Sequence, residues 1–295
     1  MTATVTLAPS RLGRMLRVVL DLCIGALACT TPVTSVLALG WIARRMAALH
    51  HRRARPGWVM GPRHAGLVVR IAGGLGANIA TGVRMLAGLA LWTLPFTVLW
   101  LGAWWAGWEN SFNKGYEQAA IGPATFLAGM LLSLPLLTLL PFALAHAAAE
   151  GRLAAFLALP RILHLARAAG GRGFLLALLS VIAAIPMAGL VALPVFVEGI
   201  VPGFATLPPE DQAGWADLLN LSAAGYAFAA LWFLRHRAAR ICAPPRKPGR
   251  LSALWLVLSG VVWAGLPALM VFAQFMNHAP HRWISHPLFL LPWPG

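Results

Sequence analysis

The sequence predicts an all-α membrane protein: a single domain over residues 1–295, with about five transmembrane helices and a broken helix before them. Three observations predict it. Hydrophobic residues make up 59% of the chain and charged residues only 11%, well below the charged share of soluble domains. Five apolar segments are long enough to cross about 30 Å of hydrocarbon at about 1.5 Å per residue. The positive charges cluster in alternate connections between these segments, as in polytopic membrane proteins.

The first apolar region, residues 15–46, is too long for one simple span and too short for two. Pro32 removes a backbone donor in its middle. Neighbouring hydroxyls can satisfy the freed backbone groups, namely those of Thr30, Thr31, Thr34 and Ser35. Arginine clusters flank both ends, so both ends are expected in the cytoplasm. We therefore expect a re-entrant broken helix, with an interfacial helix or a single kinked span as alternatives.

The five predicted spans lie between this region and the C-terminus. They cover residues 83–108, 120–147, 174–197, 218–234 and 251–275. Two connections, residues 47–82 and 148–173, mix arginine with apolar side chains. This composition is typical of helices that lie along lipid headgroups, so both are expected at the cytoplasmic surface. Pro160 should divide the second connection into two short pieces.

Charge sets the predicted orientation. Alternating spans place all 23 Lys and Arg residues inside except Lys114 and Arg282, and all eight acids outside except Asp21 and Glu150. The positive-inside rule then predicts a bacterial inner membrane protein with a cytoplasmic N-terminus and a periplasmic C-terminus. The net charge of +15 is explained by cytoplasmic retention and by attraction to anionic lipid headgroups. Nucleic acid is not an expected partner.

Asp21 is the one acid inside an apolar run. Acids in the bilayer are costly and often functional, which makes Asp21 a candidate functional residue. The alternative is that Asp21 lies near the inner interface and pairs with Arg17, one turn earlier. The hydroxyls of Thr30, Thr31 and Ser35 are candidates of a second kind, because broken helices can build transport sites.

The outer loop WENSFNKGYEQ, residues 108–118, is the most distinctive polar segment. Its candidate residues for a small substrate or partner site are Glu109, Lys114, Tyr116 and Glu117. The alternative is a short polar hairpin, since two carboxylates in a flexible loop fix no geometry for acid–base catalysis.

Several activities lack their usual residues. The predicted spans carry no ionisable residue near mid-membrane, as ion coupling would require. The three cysteines show no metal-ligand spacing. Neither a Ser–His–Asp nor a Cys–His arrangement is legible. The sequence therefore predicts a protein that is not an enzyme and holds no cofactor or metal.

Three segments carry a family resemblance. LALGWIARRM ends the first apolar region, FALAHAAAEGRLAAFLALPRILHLARAAGGRGFLLALL spans residues 142–179, and GYAFAALWFLRHRAAR covers residues 225–240. Together they resemble an uncharacterised family of prokaryotic polytopic membrane proteins with an N-terminal re-entrant segment and five to six transmembrane helices. The resemblance implies a fold and transfers no activity or site residue.

The leading functional hypothesis is a non-enzymatic scaffold, assembly factor or accessory subunit of a membrane complex. It would have a membrane-protein partner or form a homo-oligomer. The alternative is a transporter or flippase for a lipid-like or neutral solute, suggested by the proline-broken helices.

Overall fold

The structure is a computed structural model. It describes residues 11–59, 66–108, 121–200, 203, 206–244, 246–266 and 268–269. Its helices are α1 (Arg11–Ala28), α2 (Pro32–His50), α3 (Leu67–Trp108), α4 (Ile121–Glu150), α5 (Leu159–Ala169), α6 (Gly171–Ile200), α7 (Pro209–Cys242) and α8 (Ser252–Trp263). Within the described residues there is no strand, so the predicted all-α class is confirmed.

Three helical stretches are long and apolar enough to cross a membrane: Leu67–Pro95, Leu131–Glu150 and Pro209–Cys242. A fourth arises if α5 and the Gly171–Met187 part of α6, which meet at 94°, are counted as one broken span. Helix α8 has only 12 residues. The described residues therefore contain three to four helices that could cross a membrane, as the sequence predicts in outline. Five full spans are not confirmed.

Apolar side chains are exposed at helical spacing on the outer faces of the bundle. On α6 these are Leu175, Leu178, Ile182 and Ile185, and on and before α8 they are Leu251, Leu254, Val257 and Val261. Water would disfavour contiguous exposed apolar stripes of this kind. Lipid tails accept them, so these stripes agree with a membrane protein.

The break between α1 and α2 falls at residues 29–31, where the sequence predicts it. Pro32 occupies the first turn of α2, a position where its missing N–H costs nothing. Thr31 caps α2: its Oγ1 accepts from the Thr34 backbone N–H at 3.2 Å. The Thr30 hydroxyl donates to the Leu27 carbonyl at 2.8 Å and the Ser35 hydroxyl to the Pro32 carbonyl at 2.7 Å. The hydroxyls thus bond to the backbone at the break.

Helix α3 begins at Leu67, 16 residues before the predicted span at residue 83. It starts early because the apolar sequence continues backwards through this stretch with Arg70 as its one charged residue. Its first half packs on α2 through two glycines. A Cβ on Gly40 would meet the carbonyl of Asn78 and lie 2.7 Å from the nitrogen of Gly82. The two backbones therefore touch, as small residues permit between membrane helices.

The connection after α4 forms two pieces, as predicted. A 3₁₀ helix covers Leu153–Leu157, and α5 starts at Leu159 with Pro160 in its first turn. The break therefore falls at Ala158. The first piece packs into the bundle: Phe156 is fully buried and fills the space beside Gly88. The Trp92 indole N–H donates to the Phe156 carbonyl at 2.8 Å.

Among the glycines of the long helices, Gly88 packs against Phe156, and a Cβ on Gly260 would lie 3.6 Å from the Thr138 hydroxyl. Gly102 and Gly189 face open space instead. The closest backbone approach uses Gly40 and Gly82, described above. Sequence alone does not distinguish these cases, because glycine is frequent on all faces of membrane helices.

The C-terminal ends of α2, α4 and α7 lie at one end of the bundle. The His51 imidazole Nε2 is 2.9 Å from the Ala149 carbonyl oxygen. Arg161 interacts electrostatically with both His50 and Cys242. We call this the arginine-rich end, because connections that carry many of the arginines meet here.

Candidate functional site

A buried cluster of charged and aromatic side chains joins α1, α2, α7 and the segment that follows α2. We call it the N-terminal clasp. Its members are Asp21, Trp41, Arg45, Trp58, Phe228 and Trp232. It contains the one candidate acid that the sequence identified inside an apolar run.

Asp21 is 9% exposed, and two partners use its carboxylate. The Arg45 guanidinium forms an ion pair with Oδ2 at 3.7 Å. The Trp58 indole N–H donates to Oδ1 at 3.0 Å. Asp21 therefore pairs with Arg45, not with Arg17 as one sequence interpretation expected. Arg17 is exposed, while Asp21 faces the neighbouring helices.

Aromatic rings surround the ion pair. The rings of Trp41 and Trp58 stack with centroids 4.2 Å apart and an interplanar angle of 11°. The Arg45 guanidinium lies 4.7 Å from the Trp41 ring centre and 5.4 Å from that of Trp232. Cation–π attraction is strongest for tryptophan and increases when water is excluded. The clasp thus compensates the buried cation with one carboxylate and two indole faces.

A second polar contact holds the segment that carries Trp58. The Arg44 guanidinium donates to the Asn78 side-chain oxygen at 2.7 Å, and the Asn78 amide donates to the Trp58 carbonyl at 2.7 Å. Asn78 is fully buried on α3. A buried amide needs such partners to offset desolvation. This contact ties the loop after α2 to α3 and so fixes the indole that reaches Asp21.

Opposing effects act on the charge of Arg45. Burial lowers the pKa of its guanidinium, the Asp21 carboxylate raises it, and nearby Arg55 lowers it. Arginine stays protonated throughout the physiological range. The Arg45 guanidinium therefore keeps its charge inside the clasp, where the Asp21 carboxylate and the indole faces stabilise it.

A second buried arginine lies elsewhere, in α7. Arg235 is 4% exposed, and neither of its terminal nitrogens has a hydrogen-bond partner within the part of the chain that the structure describes. It lines a crevice of about 500 Å³, open space at its mouth included. The other lining residues come from α4, α6, α7, α8 and the segment after α8: Leu140, Pro141, Leu144, Leu176, Ser180, Leu231, Leu234, Ala238, Trp263 and Leu266. Apart from Arg235 and Ser180 the walls are apolar.

The remaining sequence candidates divide into two groups. Thr30, Thr31 and Ser35 are engaged at the break between α1 and α2 and do not line the crevice beside Arg235. Glu109, Lys114, Tyr116 and Glu117 lie outside the described residues. No group of three or more His, Cys, Asp or Glu residues in the described part of the chain is placed to hold a metal ion.

Sequence reasoning missed Arg45, Trp58, Asn78 and Arg235. It assigned both arginines to cytoplasmic charge clusters. One signal was available for Arg235: Leu231, Arg235 and Ala238 recur at four and three residues, the spacing of one helix face. A charged residue in register with an apolar face is expected to point inward.

The chain matches no family model, no curated protein and no solved structure. The resemblance to the uncharacterised prokaryotic membrane family therefore stays a prediction.

Proposed function

We propose that this chain is a non-enzymatic scaffold, assembly factor or accessory subunit of a membrane complex in the bacterial inner membrane. One observation carries the proposal: the buried charges of the N-terminal clasp are used to join helices. Both oxygens of the Asp21 carboxylate have partners, and the amide of Asn78 bridges Arg44 and Trp58. Groups engaged in this way hold α1 and α2 on the bundle and offer little to a substrate.

The orientation is part of the proposal. The arginine-rich end lies in the cytoplasm, with the N-terminus on that side and the C-terminus in the periplasm. Helices α1 and α2 enter and return from that side as a re-entrant pair. The arginine clusters at both ends of the pair support this arrangement, and so does the clasp, because it joins residue 21, near the start of the pair, to residue 45, near its end.

The decisive experiment is complex assembly in the native cell. Deleting the gene should lower the amount of one mature membrane complex, and wild-type protein should restore it. An Asp21→Ala variant, with its clasp broken, should restore less than an Arg17→Ala variant, which removes an exposed charge from the same helix. Unchanged complexes in the deletion strain would contradict the scaffold proposal.

A second candidate, transport or flipping of a lipid-like solute, is favoured by the crevice beside Arg235. Purified protein in sealed vesicles tests it. A transporter should accelerate the movement of a fluorescent lipid between leaflets, and an Arg235→Gln variant should not. Equal rates with and without protein would leave the scaffold as the only proposal.

A further inference from the structure

We propose that the crevice beside Arg235 binds one anionic phospholipid. The lipid phosphate contacts the guanidinium, and an acyl chain lies along the apolar walls. The inference rests on the proposed placement of the arginine-rich end at the membrane surface and not on the scaffold role, because a scaffold or a transporter can hold such a lipid. It rests on the unpartnered cation, on the composition of the crevice and on its position in the fold.

Arg235 is a buried cation that has no counter-charge among the described residues. A guanidinium cannot escape burial by losing its proton at neutral pH, and a buried cation without a partner is costly. Within the described residues, Arg235 has no ion pair and both terminal nitrogens lack hydrogen bonds. No described residue accepts a hydrogen bond from these nitrogens. The Ser180 hydroxyl, the other polar group of the walls, is directed to the Leu176 carbonyl at 2.8 Å. Cys29 interacts electrostatically with the guanidinium, but a buried thiol supplies no full counter-charge. An anion from outside the chain completes the site.

Arginine presents a planar fork of donors that matches a phosphate. The rest of the crevice is leucine, proline, alanine and tryptophan, which suits a hydrocarbon chain and not a small hydrated ion. A charged head joined to an apolar tail fits both features.

Arg235 lies about two helical turns before the end of α7 at Cys242, about 10 Å along the helix axis. The end of α7 belongs to the arginine-rich end, and exposed Arg237 and Arg240 lie between Arg235 and that end. With the arginine-rich end at the membrane surface, as proposed above, the guanidinium lies near the boundary between headgroups and hydrocarbon. The excess of arginine at this end of the bundle favours a headgroup with net negative charge over one that carries its own cation, such as choline or ethanolamine.

The test is native mass spectrometry of the full chain purified in mild detergent. Wild-type protein should retain one phosphatidylglycerol per chain. Arg235→Gln should weaken this binding at least about tenfold, the loss expected for a charge-assisted hydrogen bond. Arg237→Gln is the matched control: it removes the same charge two residues later, from an exposed side chain that lies over the Phe233 ring. It should keep its lipid.

Competition experiments on the wild-type protein distinguish a lipid from a soluble phosphate as the source of the anion. Phosphatidylcholine with the same chains, glycerol phosphate and inorganic phosphate should each compete poorly with phosphatidylglycerol. Effective competition by either soluble phosphate would overturn the lipid proposal in favour of a soluble ligand. Equal binding of phosphatidylcholine would overturn the role of charge, as would equal lipid retention by the Arg235→Gln and Arg237→Gln variants. Arg235→Lys keeps the charge without the fork, and it should bind with intermediate affinity.

Discussion

Two arginines are buried in the described part of the bundle, and their surroundings differ. Arg45 faces a carboxylate and two indole rings. Arg235 faces mostly apolar walls, and its terminal nitrogens have no hydrogen-bond partner among the described residues. A buried cation with its counter-charge inside the chain contributes to holding the fold. A buried cation without one signals a counter-charge that comes from elsewhere. The contrast distinguishes an ion pair that stabilises the fold from a site that binds a ligand.

The largest expected effect on stability comes from removing the carboxylate that pairs with Arg45. Asp21→Ala leaves Arg45 buried without its carboxylate, and we expect a loss of about 3 kcal/mol in the free energy of unfolding. A double variant, Asp21→Leu with Arg45→Met, should lose less, since no charge remains buried. Unfolding in SDS titrations measures both. A loss below about 0.5 kcal/mol for Asp21→Ala would show that the clasp contributes little.

The next effect concerns the backbone contact that positions Arg45. Gly40→Ala forces a Cβ against the Asn78 carbonyl of α3, and overpacking of this kind costs about 2 kcal/mol. Gly76→Ala on α3 is the matched control because that glycine faces open space. It should be neutral or stabilising, since alanine favours helix. The same SDS titration decides, and equal costs for the two variants would refute the close helix contact.

A smaller effect isolates one hydrogen bond of the clasp. Trp58→Phe retains an aromatic ring beside Trp41 but loses the N–H that donates to Asp21. We expect a loss of about 1.5 kcal/mol, as for a hydrogen bond to a charged group. The loss should shrink when Trp58→Phe is made in the Asp21→Ala background, and a double-mutant cycle measures that coupling. Additive losses would mean that the indole stabilises through stacking alone.

The smallest expected effect is on the stability of the lipid-free protein and is neutral or favourable. It tests whether the two buried arginines differ. In detergent stripped of lipid, Arg235→Met removes an uncompensated buried cation, so stability should stay unchanged or rise by about 1 kcal/mol. Arg237→Met is again the exposed control. If Arg235→Met destabilises the lipid-free protein as strongly as Asp21→Ala, Arg235 has an internal partner and the two arginines do not differ.

The sequence by itself predicted a membrane protein and a helical class of fold. Continuous apolar runs of about 20 residues match the length of a helix that crosses the bilayer and satisfies its own backbone groups, and they predict the helical class. The break at residues 29–31 was also predictable, because proline and clustered hydroxyls act locally.

The tertiary structure alone decided which charges are paired. Asp21 and Arg17 are one turn apart in sequence, yet the partner of Asp21 is Arg45, brought to it by the pairing of α1 and α2. Sequence reasoning placed Arg235 in a cytoplasmic cluster, because hydropathy counts charges and does not say which way a side chain points. Pairing and burial depend on the faces that helices turn toward each other, and those faces are set by contacts far apart in the chain, such as that between Gly40 and Gly82.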